Sequence, residues 1–168
     1  RSYGDSLVLQ SGEILLSQSD LGPFLAKVNP ITGQVHEAGR TQRVRGGAGT
    51  CLLADGKVLF VGGGADETAV TAEVYDPVTE TSVMVGTIPD IRRHSTATKL
   101  PNGKVLVYGG VNEMNYGINR AEVFDPATGL FTAMNVSIGM NLCTATELLD
   151  GRILFVGYET TFDKVYYE

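Results

Sequence analysis

A chain of 168 residues with 43% apolar and 19% charged residues is long enough for one domain with a substantial core and has the make-up of a soluble globular protein. Its net charge of −6 argues against nucleic acid and acidic membranes as partners, because phosphate neutralisation needs a concentrated basic surface, and no run approaches the ~18 consecutive apolar residues of a membrane helix. Two cysteines, Cys51 and Cys143, cannot build a disulfide framework or a CxxC metal site, so both are expected as small buried apolar groups.

The first element in the chain is the phrase "LQSGEILLSQ" around Gly12, and it returns three times. "LADGKVLFVGGG", "LPNGKVLVYGG" and "LLDGRILFVGY" follow, with turn glycines Gly12, Gly56, Gly103 and Gly151 standing 44, 47 and 48 residues apart. A second phrase trails each: "AKVNPITGQV", "AEVYDPVTET", "AEVFDPATGL" and the shorter "DKVYYE". Self-similarity at such a period is the mark of a repeat architecture. The 21 glycines recur at these places rather than in one tract, which implies tight turns.

Each unit reads as four short strands. The first alternates polar and apolar residues, as in Thr96-Ala97-Thr98-Lys99-Leu100, and ends in an Asp-Gly or Asn-Gly pair suited to a two-residue hairpin. The second is apolar almost throughout, as in Val58-Leu59-Phe60-Val61, Val105-Leu106-Val107-Tyr108 and Ile153-Leu154-Phe155-Val156, so both of its faces must be covered. The third, Glu73-Val74-Tyr75 or Glu122-Val123-Phe124, stops at a proline that offers no donor to the ladder. Gly33 and Gly129 then suit a left-handed turn into the fourth strand; Glu80 replaces them in the second unit, where a looser turn is expected. No stretch sustains a 3.6-residue period, which predicts essentially no α-helix. The units span residues 1–39, 40–86, 87–135 and 136–168 of a single domain.

Units near 47 residues with a Gly pair after the second strand and an aromatic on the third resemble kelch repeats. Gly62-Gly63-Gly64, Gly109-Gly110, Tyr75, Phe124 and Phe131 carry the resemblance, which covers nearly the whole chain and is clearest in the two central units. The first unit has Ser17-Gln18 in place of the Gly pair, and the last has only Gly157-Tyr158. The "YDP...TG" wording is similar to bacterial kelch proteins and to the propeller of galactose-oxidase-like proteins. With no Trp anywhere, neither a Trp-Asp signature nor a sialidase Asp-box is present. The resemblance implies an all-β propeller of about four blades, the last incomplete.

An open arc would leave two apolar blade flanks bare, so something must cover them. Two copies of the chain sharing one ring, a strained closure of one chain, and membership in a longer protein are the alternatives; a homodimer is favoured. The chain starts at Arg1 without Met and shows no signal peptide, as a processed chain or excised piece would, and the Asn135-Val136-Ser137 sequon matters only in a secretory protein, so the compartment stays open.

Strand direction sorts the loops into a face of tight turns and a face of longer loops between second and third strands: "SDLGPF", "GADETAVT", "VNEMNYGIN" and "YETTFD". The second face is the functional candidate. Arg1, Arg45 and Arg92 precede first strands, with Arg93 adjacent and His94 as a capping or channel-lining residue, and a ring of guanidinium groups at the channel mouth would pair with an acidic peptide or other carboxylate; the alternative is that the arginines bond carbonyls between blades or stay solvated. Asn112, Asn115, Tyr116 and Asn119 make the richest loop, suited to peptide, protein or carbohydrate, though turn formation explains its Asn content equally.

In galactose-oxidase-like proteins an Arg-x-Tyr-His-Ser segment supplies copper ligands. Here Arg93 stands where that Tyr would be, before His94 and Ser95, so no metal or other cofactor is expected. Nor is a catalytic residue. The sequence therefore describes a binding module, with a fragment of a galactose-oxidase-like oxidoreductase and a purely structural assembly module as the alternatives.

Overall fold

A computed structural model describes residues 5–17, 22–64, 67–135 and 140–159. Among them the chain forms fourteen strands, one short 3-10 turn at Glu67–Val70, and no α-helix. Strands β1 (Ser6–Val8), β2 (Ile14–Ser17), β3 (Phe24–Val28) and β4 (Val35–Arg40) make the first sheet, in sequence order and antiparallel. The second holds β5 (Gly49–Leu52), β6 (Val58–Val61), β7 (Thr71–Asp76) and β8 (Thr81–Thr87). The third holds β9 (Thr96–Lys99), β10 (Val105–Tyr108), β11 (Arg120–Asp125) and β12 (Leu130–Asn135). Only β13 (Met140–Glu147) and β14 (Ile153–Glu159) of the fourth are seen; its expected third strand, in 160–168, lies outside the described residues.

First strands neighbour first strands, β1 on β5, β5 on β9 and β9 on β13, while fourth strands neighbour fourth strands, β4 on β8 and β8 on β12. Sheets that touch inner edge to inner edge and outer edge to outer edge are stacked face to face about an axis. None of the sheets closes on itself. The fold is all-β and propeller-type, an arc of blades of which the last shows two strands among the described residues.

The core lies between blades. Leu9, Leu15, Leu25 and Ala38 of the first blade close on Val58, Phe60 and Tyr75 of the second. Cys51, Leu59, Val61 and Ala72 on the other face of that blade close on Val105, Val107 and Phe124. Leu106, Tyr108 and Ala121 then meet Met140 and Cys143. Each central second strand is thereby dry on both sides, with Phe60 and Val107 at 1% and 0% exposure, as its unbroken apolarity requires.

The Gly pair belongs to the junctions rather than to the blades. The Gly63 amide donates to the Arg92 carbonyl at 2.9 Å, and the Gly110 amide donates to that of Met140 at 3.1 Å, each bond reaching the segment that enters the next blade. Both glycines have positive φ, 77° and 87°, and a Cβ on Gly110 would press on the backbone of Arg93 and Ser95. The Glu80 turn is not looser than its relatives. Its amide donates to Asp76 O at 2.8 Å, as Gly33 does to Asn29 and Gly129 to Asp125, and Glu80 adopts φ 58°. The strain of a left-handed non-glycine residue is held by a contact with the first blade, where the buried Lys27 Nζ donates to Glu80 Oε1 at 2.8 Å and Pro77 O at 2.6 Å.

Candidate functional site

Arg45 and Arg92 occupy equivalent positions before β5 and β9, but neither guanidinium reaches solvent: their exposures are 1% and 0%. Each instead meets a carboxylate of its own blade. Arg45 Nε donates to Glu73 Oε1 at 2.6 Å, and its Nη1 donates to Gly62 O and Thr71 O, both at 2.8 Å. Glu73 is completed by the Gln42 amide at 2.7 Å and the Ser82 hydroxyl at 2.6 Å, both on Oε2. Arg92 Nη1 reaches Gly109 O at 3.2 Å and Arg120 O at 3.1 Å, and its Nη2 lies 2.6 Å from Glu122 Oε2.

These guanidiniums tie the end of the second strand to the start of the third, on the blade's own carbonyls. Burial pulls both arginines below their ordinary range, against the pull of the carboxylates. Arg1 lies outside the described residues, and Met140 takes the arginine position in the fourth blade. The Arg-Glu partnership was missed in the sequence, although Glu73 and Glu122 stand at the same repeat position in the two units that carry Arg45 and Arg92.

The other named residues gather around one loop. The backbones of Arg93 and Val111 exchange two hydrogen bonds, of 3.0 and 2.8 Å, which joins the entry to β9 to the loop at 111–119. Arg93 Nη2 makes long contacts to the carbonyls of Asn112 and Glu113, 3.4 and 3.5 Å, and its Nε is buried with no hydrogen-bond partner among the described residues. Asn112 builds the loop: its Oδ1 accepts the amides of Met114 and Tyr116, each at 3.0 Å, and its own amide donates to Tyr116 O at 2.9 Å. Asn115 turns the chain at φ 61°. Asn119 is exposed.

The result is a knuckle with Met114 and Tyr116 raised on it, 75% and 66% exposed. Met114 was not singled out from the sequence, since a lone Met in a loop carries no pattern. His94 is exposed at φ 56°, in the position of Gly47, and its amide donates to Gly47 O at 2.6 Å. Cys51 and Cys143 are buried free thiols pushed up to about 11 by burial. Among the described residues no three His, Cys, Asp or Glu side chains gather as a metal-binding group.

Two concave regions lie elsewhere, at the end of the blades that carries the Asp-Gly turns. One, about 360 Å³, sits between the first and second blades against Gln10, Lys27, Lys57 and Pro77; another of about 360 Å³ sits between the second and third against Leu53, Val74, Val83 and Phe124. No protein-family model matches the chain, and no curated protein matches it either.

Proposed function

We propose that the chain is a binding module of the kelch type whose contact surface is the knuckle at 111–119 together with Arg93. The observation that carries this reading is the pairing of an exposed thioether and an exposed phenol with a backbone already held by Asn112. A large side chain on a locked turn gives contact area without the ordering cost that a mobile loop pays on binding. Arg93 adds a cation beside the apolar anchors, which favours a peptide segment with an acidic residue next to an apolar one. Arg45 and Arg92 act in this reading as struts behind the surface and not as its ligands.

The kelch assignment rests on the repeat wording and on the junction role of Gly63 and Gly110. Selection of peptides from a displayed library tests the binding reading. Binders are expected to lose at least tenfold in affinity on the double variant M114S/Y116S and to keep it on N102S, at a turn on the opposite end. Unchanged affinity of all selected binders for M114S/Y116S contradicts the reading.

A further inference from the structure

Repeat equivalence shows which faces of this arc are meant to be covered. On the face that each blade turns to its predecessor, the second blade carries Val58, Phe60 and Tyr75 and the third carries Val105, Val107 and Phe124, all at 0–1% exposure. The same register positions on the first blade are Ile14, Leu16 and Val28, and they are only half-buried, with Val8 beside them at 61%. On the opposite face the sequence of equivalents is Leu15, Leu59, Leu106 and then Leu154, of which only the last is not buried. Val156 of the fourth blade stands where Val61 and Tyr108 are covered, and it is 43% exposed.

Each junction inside the chain thus joins a face of the Leu15 kind to a face of the Ile14 kind. The first blade offers a free face of the second kind and the fourth a free face of the first kind. We infer that a second copy of this chain covers both. The Ile14, Leu16 and Val28 face of one copy seats on the Leu154 and Val156 face of the other, and a twofold axis repeats the contact.

The occupant is chosen by continuity with the interfaces the chain already has: three successive junctions show the surface that fits, and the chain carries that surface at its other end. A head-to-tail contact of this sort closes into a ring or runs on as a filament. Two arcs of four sheets give a ring of about eight, within the typical range of about 4–8 for closed propellers.

The solution mass of the purified chain, by sedimentation at micromolar concentrations, tests the inference with two lysine variants at positions already open to solvent, V8K and V156K. Wild type is expected as a particle of twice 17.9 kDa, and each variant alone as a folded monomer with an unchanged far-UV spectrum. An equimolar mixture of the two is expected to restore the two-chain particle, because one junction then pairs two unaltered faces. A monomeric wild type, as when further blades from a longer chain cover the flanks, overturns the inference. So does a growing polymer, a dimer that survives V156K, or a mixture that stays monomeric.

Discussion

Blades two and three hold the same buried Arg-Glu pair in different surroundings. In blade two every polar atom around Glu73 is matched: Arg45 serves one oxygen, and the Gln42 amide and Ser82 hydroxyl serve the other. In blade three the residue equivalent to Gln42 is Pro89, which has no amide hydrogen, and the residue opposite Phe124 is Phe131, where blade two has Ser82 opposite Tyr75. Both donors are gone. Glu122 stands 2.6 Å from Arg92, at an angle that makes no hydrogen bond, and neither of its oxygens has a hydrogen-bond donor among the described residues.

Burial pushes the Glu122 carboxyl up, opposed by Arg92, with Asp90 adding to the rise and Arg120 working against it. The lesson is that an ion pair in a blade is only as good as the neutral donors around it, since desolvation of two charges consumes most of their attraction. Phe131 brings compensation of another kind, its ring 4.9 Å from that of Phe124.

The sharpest way to expose the difference is to neutralise each carboxylate. Glu73→Gln sets an amide against the Gln42 donor and leaves Arg45 buried without its charge partner, so thermal or urea unfolding should show a loss of about 3–5 kcal/mol. Glu122→Gln likewise leaves Arg92 buried without its charge partner, but this carboxylate has no amide or hydroxyl donor to lose, so the cost should be smaller than that of Glu73→Gln. Equal losses would erase the distinction.

Acidity gives a second, smaller contrast. A carboxyl whose folded pKa is raised binds its proton more tightly in the folded state, so its contribution to stability grows as pH falls through the raised value and is complete below the ordinary carboxylate range. Unfolding free energy measured from pH 7 downward should therefore contain a stabilising component in that window that disappears in Glu122→Gln. The charged groups facing Glu122 are Arg92, Asp90 and Arg120. A window that persists unchanged in the variant would assign it to other groups.

The smallest effect expected comes from restoring a donor. Pro89→Gln returns an amide hydrogen to the position that serves Glu73 in blade two, and the Glu122 carboxyl should titrate lower by NMR, with stability altered by less than about 0.5 kcal/mol. A Glu122 titration that does not move would show that the backbone there is not aligned as at Gln42.

Much of this fold could be read before any coordinates. The turn glycines, the unbroken apolar second strands and the Gly pair each have a local physical reason, and each recurs, so chance is excluded by repetition. Gly62 and Gly63 are legible as special, though only the structure shows that they receive the next blade. The arginines were harder: a fully buried charged side chain is rare, and the sequence left Arg45 and Arg92 between a ligand at a channel mouth, carbonyls between blades and solvent, without pointing to a carboxylate of the same blade. Their partners lie 28 and 30 residues on, at positions that strand alternation alone does not bring together. Ala26, where blade one has no Glu, was the available hint that the pair belongs to particular blades. The knuckle was half visible, because Asn112 and Asn115 announce a turn, while the exposure of Met114 follows only from how that turn is aimed.

Stacking of blades about an axis, with the central second strands enclosed on both faces, is tested most directly by amide hydrogen exchange. Amides of Val58–Val61 and Val105–Tyr108 should exchange slowest in the chain, at rates set by global unfolding, and those of Thr81–Thr87 on an outer edge much faster. Exchange of β6 and β10 as fast as β8 would contradict the account.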